Sequence, residues 1–80
     1  MASVSVKHTV KSVVSRALEI PVEQVVDEAH LMDDLGADSL DVINIQMMIE
    51  DELGTQVPDE EADSLLIVGP LIRWTEDHLA

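Results

Sequence analysis

The chain has 80 residues, 17 of them Asp or Glu against 4 Lys or Arg, for a formal net charge of −13 at pH 7. It contains no cysteine, so a disulfide, a thiolate metal site and a thiol nucleophile of its own are all excluded, and any sulfur chemistry has to be imported. A chain of this length makes one small domain burying roughly 60–65% of its unfolded surface, too little for two cores or a deep catalytic cleft.

In chain order, Val6, Val10, Val13, Val14, Ala17 and Leu18 follow the i, i+4, i+7, i+8 template and predict an amphipathic helix over residues 4–18, with Ser3 or Ser5 as N-cap. Ile20-Pro21 is expected to end it, because the residue before proline avoids the helical region. Residues 19–37 read as a long connection. Its irregularly spaced Val22, Val25, Val26, Leu31, Met32 and Leu35 are expected to fold over the core, with a turn or two of helix around Val22 to Val26. Gly36 marks a turn. Asp38 is then a good N-cap, Asp41 occupies the capping-box position, and apolar periodicity runs to Leu53 before Gly54, which predicts a second helix. Pro58 followed by Asp59, Glu60 and Glu61 predicts a short third helix, and Leu71, Ile72, Thr75 and Leu79 a fourth. The run from Leu65 to Val68 has strand character but no evident partner. The expected fold is all-α, a small four-helix up-and-down bundle with a long first loop, residues 1–80 forming a single domain. Disorder is excluded by composition, since 46% of the residues are hydrophobic.

Charge is laid out unevenly. Residues 1–18 hold Lys7, Lys11 and Arg16 and no acid, whereas residues 19–63 hold fifteen acids and no Lys or Arg. Interspersed signs would reduce self-repulsion, so a one-sign field of this length favours steering of a partner. Such a surface repels nucleic-acid phosphate and anionic lipid headgroups, and attracts basic protein surfaces across a Debye length of ~8 Å. Neither nucleic acid nor membrane insertion is expected: the N-terminus lacks a basic leader with a long apolar stretch, and Leu65 to Val68 is far too short to span a bilayer. A soluble, cytoplasmic monomer is expected.

At about 100° per residue the second helix carries two apolar stripes. Val42, Ile45, Ile49 and Leu53 fall on one side, and Leu40, Ile43 and Met47 on the other. The first is longer and narrower and is assigned to the core; the second is expected at the surface as a binding site rimmed by Asn44, Glu50 and Asp51. Met47 suits a surface that meets several partners. Glu50, Asp51 and Glu52 crowd the last turn, where the helix dipole prefers cations, and this broken local rule marks the acidic end as part of the docking surface.

Leu35-Gly36-Ala37-Asp38-Ser39-Leu40-Asp41 places Ser39 at the first position of that helix, where its hydroxyl is exposed and a phosphodiester is tolerated by free N–H groups and the dipole. Nothing adjacent activates Ser39 as a nucleophile: there is no Gly-x-Ser-x-Gly elbow, and His30 lies nine residues away with no orienting motif. If Ser39 reacts, another enzyme drives it, so the chain itself is not read as an enzyme.

On these residues the sequence resembles the acyl carrier proteins, whose hallmark is Asp-Ser-Leu opening the second helix after Leu-Gly-Ala or a close variant. The resemblance extends over the first helix, the long loop, residues 35–41, the acidic end at 50–52 and Pro58-Asp59-Glu60-Glu61-Ala62. A second Asp-Ser-Leu at Asp63-Ser64-Leu65 lacks the glycine turn and is read as incidental. The resemblance implies that Ser39, beside Asp38, receives 4′-phosphopantetheine from coenzyme A through a magnesium-dependent phosphopantetheinyl transferase, and that the prosthetic thiol carries acyl groups as thioesters between enzymes of fatty-acid or specialised lipid or secondary-metabolite synthesis. It also implies that Leu40, Asp41, Ile43, Asn44, Met47, Glu50 and Asp51 meet basic surfaces of acyl-transferring, condensing or acyl-activating enzymes, and that the bundle can shelter an acyl chain. Asn44, Gln46, Leu53 and Gly69-Pro70 depart from the usual pattern of fatty-acid carriers, which keeps an aminoacyl or peptidyl carrier open beside a specialised-pathway one.

Two other classes fit the residues less well. An EF-hand starting at Asp33 fails, since its third position is Leu35 and its sixth Asp38, leaving weak divalent binding to acidic surface at most. His8, His30 and His78 are too scattered for a metal motif and are expected to be exposed or packed in loops, and Trp74 to sit in the core or at its rim. An unmodified acidic adaptor is the remaining alternative.

Overall fold

The computed structural model describes residues 5–58, 61 and 63–78. Among them are three helices, α1 (Val6–Leu18), α2 (Ser39–Leu53) and α3 (Val68–Asp77), with a 3-10 turn at Val22–Gln24 and another at Asp63–Leu65. The chain is all-helical, as its patterning predicts. The expected third helix falls mostly on residues outside the described ones; within them, Glu61 is helical and its N–H donates to the Pro58 carbonyl at 3.0 Å. Leu79 and Ser3 also lie outside the described residues.

Ser5 caps α1, accepting the His8 N–H at 3.2 Å. The helix ends earlier than the Ile20-Pro21 rule requires. Glu19 adopts the left-handed conformation at φ 57°, the Ile20 N–H returns to the Ser15 carbonyl at 3.1 Å, and Ser15 Oγ donates to the Ile20 carbonyl at 2.6 Å. Three hydrogen bonds, counting the Glu19 N–H on the Ser15 carbonyl, therefore close the helix before proline forbids it.

α1 is the hub of the fold: it packs against α2 and against α3, while among the described residues no close backbone pairing joins α2 to α3. Val10, Val13 and Val14 of α1 are fully buried between Ile45 and Ile49 of α2 and Val68, Leu71 and Ile72 of α3 in one apolar cluster. The long connection contributes Val25, Ala29, Leu31 and Ala37 to that core, as expected, but Val22 and Val26 stay exposed and the predicted helix there shrinks to one 3-10 turn.

The apolar run at 65–68 does find a partner, in the first loop. Leu31 N–H donates to the Leu66 carbonyl at 2.8 Å and Val68 N–H to Ala29 at 3.0 Å, forming a single antiparallel bridge between His30 and Ile67. α3 then starts at Val68, three residues before the first apolar position that marked it in the sequence. Gly69 and Pro70 are compatible with that start. Pro70 sits in the first turn, where its missing N–H has no intrahelical acceptor to lose. Gly69 donates its N–H to the Asp27 carbonyl at 2.8 Å, and a Cβ there would lie 3.1 Å from the same oxygen, so glycine permits this close approach.

Scarce cations are used between elements. Lys11 and Lys7 of α1 reach Asp27 of the loop at 3.0 and 3.7 Å, and Arg16 pairs with Glu52 of α2. The Lys11 hydrogen bond, assisted by the charges of Lys11 and Lys7, holds the Asp27 carboxyl below its ordinary value of 3.8 despite some desolvation. A carboxyl depressed on folding contributes stability above its unfolded value and loses it as pH falls through the folded one. Asp27→Asn is therefore expected to lower the thermal midpoint at about pH 6 and to match the wild type by about pH 2; an equal deficit at both, read by thermal melts, refutes the ion-pair account.

Candidate functional site

The segment leading into α2 is a closed turn. Asp34 and Leu35 N–H groups donate to the His30 carbonyl at 2.9 and 3.1 Å, Gly36 N–H to Met32 at 3.2 Å, and Ala37 N–H to Leu31 at 2.9 Å. The last two bonds cross a residue in the left-handed region, Gly36 at φ 79°, which is the usual chemistry for stopping a helical turn. Leu31 and Ala37 are buried at either end and anchor the turn to the core.

Asp38 follows in extended conformation and α2 begins. Asp38 Oδ1 accepts the Asp41 N–H at 2.9 Å and Asp41 Oδ2 accepts the Asp38 N–H at 3.2 Å, completing the predicted capping box. Because Asp38 Oδ1 is committed to the cap, what Asp38 visibly does is fix the direction in which the next residue points. That residue is Ser39, exposed at the first helical position.

The surroundings suit an esterified phosphate. Asp41 N–H is taken by the cap, but among the described residues the N–H groups of Ser39 and Leu40 have no partner, and both belong to the positive end of the helix dipole. The space beside the turn is open, since a Cβ on Gly36 would meet nothing within 4 Å. Ser64, in the second Asp-Ser-Leu, differs. It lies in a three-residue 3-10 turn, its hydroxyl donates to the Glu61 carbonyl at 2.8 Å, and Leu65 beside it is buried.

α2 splits its two stripes as the wheel predicts. Val42, Ile45 and Ile49 are buried and Leu53 half-buried, whereas Leu40, Ile43 and Met47 are 75%, 51% and 60% exposed. Three large apolar side chains on one exposed helix face, directly after Ser39, form a contiguous patch of the kind monomers rarely leave bare. Asn44 and Asp51 are exposed beside it and Asp41 half-buried in the cap.

The acidic end is less uniform than its sequence suggests. Glu50 turns inward, its Oε2 accepting the Val57 N–H at 2.8 Å, and Glu52 pairs with Arg16 of α1. Two of the three acids thus have intramolecular partners that offset their cost against the dipole, and among the described residues Asp51 alone has neither contact. Sequence reading also missed His30, whose ring accepts backbone N–H groups at the start of the turn. Histidine is not among the usual capping residues, so nothing local to His30 signals the role. The described residues contain no group of three His, Cys, Asp or Glu able to hold a metal ion.

Residues 8–68 match the family described as "Phosphopantetheine attachment site". The acyl carrier proteins of Helicobacter pylori strains G27 and HPAG1 are each 38% identical to the chain over 69 residues, covering 86% of it and 88% of theirs. The chain belongs to the acyl carrier protein family. Its fold is also similar to the solved structure of the acyl carrier protein from Enterococcus faecalis, with a TM-score of 0.78 at 33% identity over 91% of this chain and 92% of that one. An acyl carrier protein is a carrier rather than an enzyme, and its prosthetic group is 4′-phosphopantetheine. The group supplies a thiol, which reconciles acyl-thioester chemistry with a chain free of cysteine. The family implies a phosphopantetheinyl transferase and acyl-handling enzymes as partners. No helix among the described residues is long and apolar enough to cross a membrane.

Proposed function

We propose that residues 1–80 form one carrier domain in which Ser39 is the phosphopantetheine attachment residue, presented to each enzyme by the exposed face of α2. The observation that carries this reading is the junction of three features within a few residues: an exposed hydroxyl at a helix start, two N–H groups beside it that have no partner among the described residues, and the bare Leu40, Ile43 and Met47 stripe. Leu40, Ile43 and Met47 supply apolar contact; Asn44 and Asp51 form the polar rim that meets basic partner surfaces, with Asp41 and Glu50 shaping the helix ends. The cargo is an acyl group of a fatty-acid or specialised lipid or secondary-metabolite pathway, and mass analysis of protein purified from its native cell identifies it. Incubation with coenzyme A and a broad-specificity transferase is expected to add one phosphopantetheine, seen by intact-mass spectrometry. An unchanged mass overturns the proposal.

Met47→Glu tests the docking face. With its side chain in solvent, the substitution is expected to leave helical circular dichroism intact while weakening partner binding about tenfold, the scale of an interface anchor. Loss of the helical signal instead places the stripe in the core.

A further inference from the structure

His30 has no part in carrier chemistry, yet its ring begins the turn that ends on Ser39. The backbone N–H groups of Met32 and Asp33 both donate to His30 Nδ1 at 3.1 Å, and the His30 N–H donates to Asp34 Oδ2 at 2.7 Å. This reciprocal pattern caps the turn much as an N-cap closes a helix start, with an imidazole in place of the usual hydroxyl or carboxylate. The bridge to Ile67 holds the His30 backbone from the other side, and Gly36 closes the turn ahead of Asp38 and Ser39.

Two N–H groups converge on Nδ1, so Nδ1 is the acceptor of this turn and the other ring nitrogen, Nε2, is left to donate. The charged groups facing the ring are Asp33, with Oδ2 4.0 Å from Nδ1, and Asp34, bonded to the His30 backbone; the bridging segment from Leu66 to Val68 brings none.

We propose that His30 is a positioning residue for Ser39: its ring nitrogen caps the turn over residues 31–36 and so presents the hydroxyl for esterification. The proposal rests on Ser39 being the modified residue. Its test measures initial loading rates by intact mass for the wild type, His30→Ala and His30→Ser with one transferase. His30→Ala is expected to load about five- to tenfold more slowly with helical circular dichroism retained, while His30→Ser, which keeps a side-chain acceptor, stays within about twofold of wild type. Wild-type loading by His30→Ala, or a His30→Ser variant as slow as His30→Ala, overturns the proposal; a wild type that never loads overturns the Ser39 reading instead. Amide hydrogen exchange gives a readout independent of loading: protection at Met32 and Asp33 drops in His30→Ala while that at Ile45 persists, and unchanged protection at both turn amides refutes the cap.

Discussion

Ser39→Ala is expected to abolish phosphopantetheine addition and Ser64→Ala to leave it at the wild-type level. The difference is expected to be all or none, because loading forms a bond to one oxygen and no neighbouring side chain substitutes for it. Ser39 is exposed and is not the cap of its own helix, a role held by Asp38, so the alanine variant keeps its fold and the loss reports the site alone. Ser64 shares the tripeptide but not its setting: its hydroxyl is bonded to Glu61, no long helix begins there, and Leu65 is buried where Leu40 is 75% exposed. Intact-mass spectrometry of both variants after incubation with coenzyme A and transferase decides the matter. Retention of the adduct in Ser39→Ala, or its loss in Ser64→Ala, moves the site.

Ile45→Ala is expected to destabilise the fold by about 2–5 kcal/mol, and Ile43→Ala, two residues away on α2, by at most about 0.5 kcal/mol. Ile45 is fully buried at the seam between α1 and α2, and its removal leaves a cavity as well as losing the transfer free energy of the deleted carbons. Ile43 is 51% exposed on the opposite side, so truncation removes little packed surface. A domain of this size has a total stability of about 4–12 kcal/mol, so the first variant is partly unfolded or nearly so under conditions where the second is native. Urea denaturation followed by helical circular dichroism separates them. Similar midpoints would contradict the assignment of the two stripes.

Much of this was legible in the residues because it depends on neighbours in sequence. The capping box of Asp38 and Asp41, the turn at Gly36, the end of α2 at Gly54 and the division of α2 into two stripes all rest on local hydrogen bonds or on a helical repeat. What misled was also local. The Leu65 to Val68 run lacked a partner only because the partner, Ala29 to Leu31, is remote in sequence, and the same pairing moves the start of α3 to Val68. Glu50 and Glu52 looked like unpaired acids on a docking surface because Val57 and Arg16 are brought to them only by folding. His30 stayed hidden because its capping role needs a ring nitrogen in a chosen rotamer, which no spacing encodes.

By itself the sequence determined that this is a small, helical, acidic chain with no thiol, and that a serine opens its central helix, since composition and nearest-neighbour chemistry suffice for each of these. Only the tertiary structure decided which acids of α2 remain in solvent, what pairs with residues 65–68, and that the Ser64 hydroxyl is tied to the Glu61 carbonyl. The physical reason is that exposure belongs to the packed assembly: α1 covers one side of α2, and the loop stitched to residues 66–69 holds the turn that aims Ser39 outward.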